Sequence, residues 1–258
     1  MPDSAPRPIF IVGCQGSGTT LLRLILDSHP NISCGPETRF LPDFARITSD
    51  ANWPHMAQYG FPKAYWHEKI AGLFDTVQHD YAVRRGKTRW ADKTPRYALS
   101  LDYIDALFPT CQVVHVIRDG RDVVASHRDR WGLLSACKAV RKWPLYIRTA
   151  RSAGARLPAD RYIEVRYEDL VTDTEPTVRR LLDFLGEPWD DAVLAHEARP
   201  HDVQPRYADL TASRRAAAGE QSAIYRSSAG SYRRRLNPLI LLLFYAASGR
   251  TLHKLGYR

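Results

Sequence analysis

Cysteine is scarce: Cys14, Cys34, Cys111 and Cys137 are the only four in 258 residues, all far apart. They form no CxxC pair and no Cys/His cluster at ligand spacing, which argues against a zinc site and leaves reduced thiols as the expectation. Cys14 sits in the loop after an apolar run and Cys111 opens another, so both are expected to pack. Long apolar runs are missing too. The one extended stretch, Leu236 to Leu243 and onward to Ala247, is too short and too close to Arg and Asn to cross a bilayer. It is expected to be a packed C-terminal helix at about 237–255. Internal repeats, low-complexity tracts and clear linkers are absent, which predicts one domain over 1–258 with a helical insertion at about 40–90. An apolar segment begins at Pro8 after a short polar leader, so no secretory signal is recognised and cytoplasmic residence is expected.

Lys and Arg number 37 against 28 Asp and Glu, a formal charge of +9. Such a balance favours anionic partners. Neither a recognition-helix motif nor an aromatic ribonucleoprotein signature accompanies it, so nucleic acid is not the expected partner.

The hydrophobic periodicity places the motifs. Pro8 to Val12 reads as a buried strand ended by Gly13, and Thr19 to Ser28 as a helix with Leu21, Leu22, Ile25 and Leu26 on one face. Tyr97 to Leu107 is predicted helical and Cys111 to Ile117 a buried strand. Arg118-Asp119-Gly120-Arg121 is a turn whose aspartate can cap a helix running through Ser126. Arg161 to Val165 reads as a further strand, followed by a helix from Thr174 to Leu185 closed at Gly186. Strands alternating with helices predict an α/β fold, a P-loop-like three-layer domain whose central parallel sheet has helices on both faces. Ligands then collect beyond the carboxyl ends of the strands.

Gly13-Cys14-Gln15-Gly16-Ser17-Gly18-Thr19-Thr20 lies between a strand and a helix, where a glycine-rich loop points main-chain N–H groups at an anion. The helix N-terminus adds partial positive charge. A nucleoside-triphosphatase loop would carry lysine at position 19, and Thr19 stands there instead, which weakens the case for ATP or GTP chemistry.

The stretch Pro8 to Pro30 resembles the sulfotransferase loop that binds the 5′-phosphosulfate of 3′-phosphoadenosine 5′-phosphosulfate (PAPS). Cys34-Gly-Pro-Glu-Thr-Arg39 is similar to the tyrosylprotein sulfotransferase branch. Asp92-Lys93-Thr94-Pro95, Val116 to Ser126 and Arg166-Tyr-Glu-Asp-Leu170 match further blocks in family order. The resemblance implies PAPS as donor, 3′-phosphoadenosine 5′-phosphate (PAP) as product, no metal, and a hydroxyl-bearing acceptor such as tyrosine, another phenol or a sugar. It also assigns residues: Glu37 as the base, Lys93 as a cation facing the sulfonate, and Gly16, Ser17, Gly18, Thr19 and Thr20 as the phosphosulfate cradle. Arg118 and Ser126 would clamp the 3′-phosphate, Tyr167 would contact the adenosine, and Arg226 with Ser227 would close over the 3′-phosphate.

One position departs from the pattern: the family carries Arg or Lys where Gly16 stands. Lys93, or else Arg23, is then the substitute for the missing charge. Two alternatives stay open, a kinase-like ATP phosphoryl transferase and a nucleotide-binding homologue with weak or no catalysis. Other groups are given structural roles. Arg121 and Asp122 are expected to form a solvated helix start, His29 and His115 to be structural, Glu168 and Asp169 to have no part in acid–base chemistry, and the tryptophans Trp53, Trp66, Trp131 and Trp143 to pack.

Overall fold

A computed structural model describes residues 6–198, 201 and 229–257. Its centre is a five-stranded sheet in the order β2-β3-β1-β4-β5. The strands are β1 (Ile9–Gly13), β2 (Ile32–Cys34), β3 (Arg89–Lys93), β4 (Gln112–Ile117) and β5 (Tyr162–Arg166). Every pairing is parallel, with β1 between β3 and β4: Ile9 is level with Ala91 on one side and with Gln112 on the other.

The side-chain period of two in a strand explains why β1 is apolar throughout. Ile9 and Ile11 enter one core with Val114 and Val116, while Phe10 and Val12 enter the opposite core with Val113 and Ile117. The first core is roofed by α1 (Thr19–Asp27), α7 (Tyr167–Thr172) and α8 (Thr174–Leu185). The second lies under α4 (Lys63–Arg84), α5 (Leu101–Leu107), α6 (Gly120–Gly154) and α10 (Pro238–Lys254). This is the α/β sandwich expected of the pattern, with helices on both faces. Phe10 anchors an aromatic group on the second face, its ring centroid 5.5 Å from both Trp90 and Phe108.

Between β2 and β3 the chain forms α2 (Leu41–Ile47), α3 (Trp53–Met56) and α4. This region is helical, and β3 begins at Arg89. Among the described residues one further helix, α9 (Tyr232–Arg235), directly precedes α10. Asn237 caps α10 by accepting from the Ile240 N–H at 2.9 Å, and Pro238 occupies the first turn.

Three local expectations are corrected. The segment 97–107 is not one helix: a 3₁₀ turn spans Pro95–Leu99 and α5 starts only after Ser100, whose φ of −132° leaves the helical region. The last strand begins at Tyr162 rather than Arg161. The helix after Asp119 runs far past Ser126 and bends at Gly132, where φ 80° and ψ −176° are open essentially to glycine alone. Trp143 packs fully buried, whereas Trp131, beside that bend, is 46% exposed.

The chain leaves β1 towards β3 and β2 on one side and towards β4 and β5 on the other. A crevice therefore opens beyond the carboxyl end of β1. The glycine-rich loop, Arg118 and Tyr167 follow strand ends that border it, and Lys93 is the last residue of β3.

Candidate functional site

The loop turns tightly, with Ser17 N–H donating to the Cys14 carbonyl at 3.0 Å. Gly18 is the residue before α1, has φ 95°, and supplies no side-chain cap; no acidic residue lies in the first turn. The first N–H groups of α1 thus meet neither a capping oxygen nor a carboxylate, the arrangement that accepts an anion. A Cβ on Gly18 would stand 2.1 Å from Cδ2 of Tyr167, so only glycine lets the loop lie on that ring. Gly16 has φ 91°, and a Cβ there would stand 3.3 Å from Oγ of Ser126. A side chain at this position would meet both the left-handed backbone and the tight approach of Ser126.

On the β4 side, Arg118 donates from Nη1 to the Gly16 carbonyl at 3.1 Å, and its guanidinium lies 4.1 Å from the centroid of Tyr167. The peptide after Arg118 is fixed twice. Trp143 Nε1 donates to the Arg118 carbonyl at 3.0 Å, and the Asp119 N–H donates to Oε1 of Glu168 at 2.9 Å. Tyr257 donates to the other oxygen of Glu168 at 2.8 Å. Burial pushes the Glu168 carboxyl up, although these donors oppose it. Asp119 caps α6 as expected, accepting from the Arg121 N–H at 2.8 Å.

Ser126 is fully buried one residue before His127, and its Oγ finds no hydrogen-bond partner among the described residues; Oγ of Ser17 in the loop is in the same state. Two buried hydroxyls beside an uncapped helix start are what a phosphate group would satisfy. Nucleotide phosphates therefore fit the residues present.

On the β3 side, Lys93 Nζ lies 2.6 Å from Oε1 of Glu37 and donates to Oγ1 of Thr20 at 3.4 Å. Glu37 also accepts from Arg39, which folds back at 2.8 Å and adopts φ 63°, the one described non-glycine residue with positive φ. Such a conformation costs on the order of 1 kcal/mol and is commonest at functional turns. Asp92 holds the same turn by accepting from Oγ1 of Thr38 at 2.8 Å, and Thr38 reaches the Tyr97 hydroxyl at 2.6 Å. Adjacent residues of β3 thus pin adjacent residues of the turn, Asp92 to Thr38 and Lys93 to Glu37. Burial pushes the Glu37 carboxyl up, but Lys93 and then Arg39 outweigh it and hold it below the ordinary range. Glu37 is ionised at neutral pH, as a proton acceptor must be. Burial lifts Asp92 to about 6 against the hydrogen bond from Thr38.

The expected site residues come together in two groups that meet at the loop. Arg118, Ser126 and Tyr167 flank Gly16 and Gly18, while Lys93 and Glu37 reach Thr20. Arg226 and Ser227 lie outside the described residues. Tyr167 is 6% exposed and packs beneath the loop as well as against Arg118, so its ring supports the cradle from below. Of the two proposed substitutes for the cation at position 16, Lys93 is at the loop. Arg23 points into the fold instead, its Nε donating to the Cys34 carbonyl at 3.0 Å.

Arg121 and Asp122 are corrected: neither is solvated. Asp122 is fully buried and accepts from Gly230 N–H at 2.7 Å, Tyr232 N–H at 2.8 Å and Ser231 Oγ at 3.1 Å. Arg121 lies against Asp119 and donates to the Tyr245 hydroxyl at 2.8 Å. Charge in a helix's first turn looks solvated when the partner is more than 100 residues away in the chain.

His127 carries a role that the sequence did not flag. Its Nε2 lies 3.0 Å from the Gln15 carbonyl and its Nδ1 2.9 Å from Oγ of Ser135, beyond the Gly132 bend. Burial lowers it to about 4, so it is neutral, Nε2–H donating to the loop and Nδ1 accepting from Ser135. The only signal was its place directly after Ser126. His29 and His115 are buried and structural as expected, and burial pushes the Cys14 and Cys34 thiols up to about 12, which makes them inert.

A family model described as "Sulfotransferase family" matches residues 8–191. The Danio rerio protein named protein-tyrosine sulfotransferase 1 is 35% identical over 205 residues, covering 73% of this chain and 56% of that protein. This chain spans about half the length of the curated relatives it matches, as with the 52% of the Caenorhabditis elegans relative. Among solved structures, a sulfotransferase domain from the curacin biosynthetic pathway superposes with a TM-score of 0.70 at 20% identity, covering 98% of both chains. Mouse sulfotransferase SULT7A1 complexed with PAP gives 0.54 at 15% identity, covering 98% of this chain and 90% of that one. At such identities these two structures speak for the fold.

Proposed function

We propose that this chain, which belongs to the sulfotransferase family, moves a sulfuryl group from PAPS to an acceptor hydroxyl. The observation that carries this is the convergence on one loop of an uncapped helix start, the Arg118–Ser126 pair and the Lys93–Glu37 pair. PAPS supplies a sulfuryl group already activated by its bond to phosphate, so the chain's residues have to hold, align and neutralise. The N–H groups at the start of α1 and the hydroxyls of Ser17, Thr19 and Thr20 bind the 5′-phosphosulfate. Arg118 and Ser126 bind the 3′-phosphate, for which a planar fork of donors is suited. Glu37 takes the acceptor's proton as its oxygen bonds to sulfur and the bridging sulfur–oxygen bond breaks. Charge then builds on the leaving phosphate, where Lys93 and the α1 N-terminus lie. The mouse structure named above as a PAP complex, and relatives named for tyrosine, support PAPS as donor and a phenolic hydroxyl as the first acceptor to try.

Titration calorimetry with PAP and AMP tests the donor assignment. PAP binds at least about tenfold tighter if Arg118 and Ser126 read the 3′-phosphate, and equal affinities refute that role. Glu37→Gln keeps PAP binding and loses turnover of labelled donor with tyrosine peptides, other phenols and sugars. Full turnover in that variant removes Glu37 as the base. Gly16 favours a second reading, in which nucleotide is bound with little turnover, and tight PAP binding with no sulfated product from any acceptor establishes it. Magnesium-dependent ATP turnover would instead revive phosphoryl transfer.

A further inference from the structure

Helix α10 is two-faced in an unusual way. Successive residues turn about 100° around a helix axis, so Ile240, Phe244, Ser248 and Leu252 form one ladder, and all four are buried against the fold. The opposite face presents Leu239, Leu242 and Leu243, which are 70%, 67% and 55% exposed. On that same face, two turns further along, come the exposed Arg250 and Lys254, and just upstream of the helix stand the exposed Arg233 and Arg234. A bare leucine stripe is thus flanked by cations at both ends. No aspartate or glutamate occurs anywhere from Gln221 to Arg258. Beside the basic end, α10 and the distal half of α6 enclose a groove of about 850 Å³ bordered by Arg148, Arg151, Arg250 and Lys254.

We infer that this face seats the protein on an anionic phospholipid surface. The three leucines enter the boundary between headgroups and acyl chains, and the flanking cations meet headgroup phosphates. Clustered exposed leucines are costly in water and mark an interaction surface. An apolar stripe bordered by Arg and Lys is the composition of a helix that lies in a membrane interface. No described helix is long and apolar enough to cross a bilayer, so the contact is one of lying on the surface. A second copy of the chain is a poorer occupant. A two-fold contact sets the same patch against itself, bringing Arg233, Arg234, Arg250 and Lys254 against like charges with no carboxylate on α9 or α10 to compensate.

Co-sedimentation of the full chain tests this with vesicles of phosphatidylcholine alone and of phosphatidylcholine containing about 30% phosphatidylserine. The protein pellets with the anionic vesicles and binds at least about tenfold more weakly to neutral ones, or at about 1 M salt. Leu242→Glu/Leu243→Glu weakens anionic binding at least about tenfold with an unchanged melting temperature, because both side chains are already in water. The milder Leu242→Ala/Leu243→Ala falls between, and Arg250→Glu/Lys254→Glu removes much of the salt dependence. Failure to bind anionic vesicles overturns the inference, as does binding that survives loss of the leucines. Self-association abolished by the leucine variants, without vesicle binding, overturns it in favour of a second copy. Capture of an acidic amphipathic peptide, again without vesicle binding, overturns it in favour of a protein partner.

Discussion

Gly18→Ala is the sharpest probe of how the loop is held. Alanine at φ 95° would carry a left-handed backbone, at a cost of about 1–2 kcal/mol. Its Cβ would also lie 2.1 Å from Cδ2 of Tyr167, where carbon contacts need about 3.5 Å or more. The ring cannot swing away freely, being 6% exposed beneath the Arg118 guanidinium at 4.1 Å. Forcing an extra methyl into such packing adds about 1–3 kcal/mol. Gly18→Ala should therefore lower the unfolding free energy by about 2–5 kcal/mol, or displace the loop and weaken PAP binding by at least about tenfold. A double-mutant cycle by urea denaturation separates the two costs. In a Tyr167→Ala background the clash is gone and Gly18→Ala costs only the backbone strain, a coupling of at least about 1 kcal/mol. Tyr167→Val serves if the alanine variant does not fold. A neutral Gly18→Ala, or costs that add within about 0.5 kcal/mol, would refute the claim that the loop rests on Tyr167.

Asp122→Ala leaves two main-chain N–H groups and the Ser231 hydroxyl without their acceptor and should cost about 2–4 kcal/mol in urea unfolding, with Asp122→Asn intermediate. Lys93→Ala removes the first cation that lowers Glu37, so turnover should fall by about 10²–10³ and its acid limb should move to higher pH; an unshifted pH profile would count against the pairing. Burial lowers His115 from 6.5 to about 3. The unfolded chain therefore binds a proton between those values that the folded chain refuses, and His115 makes stability decline as pH falls, by up to about 1.4 kcal/mol per unit. Asp92, lifted to about 6 by burial, acts with the opposite sign from about 6 down to its ordinary value. The difference between wild type and His115→Asn, which keeps a donor for Tyr162, isolates the histidine in urea unfolding at pH 7, 6 and 5.

The repeating order of strand, turn and helix was legible because burial on both faces makes β1 wholly and β4 mostly apolar, and α1 apolar on one side. The cradle was legible for the same reason, since three glycines between a strand and a helix have few other uses. Residues whose partners are remote in the chain were not. Asp122 looked like a surface charge because its donors in Gly230, Ser231 and Tyr232 reach it only in three dimensions, and His127 looked idle because both Gln15 and Ser135 reach it by folding.

By itself, then, the amino-acid order determined the layer architecture, the anion-binding loop and the candidate groups Glu37, Lys93, Arg118 and Ser126. The architecture and the loop follow from local periodicity and turn chemistry, which act over a few residues, and the four candidate groups from the resemblance to the sulfotransferase family. Tertiary structure decided the rest: that any side chain at Gly16 would be strained by a left-handed backbone close to Ser126, that Lys93 rather than Arg23 stands at the loop, and that α10 shows leucines and cations to the outside. Each of these depends on which side chains occupy the same space, and no local pattern encodes that.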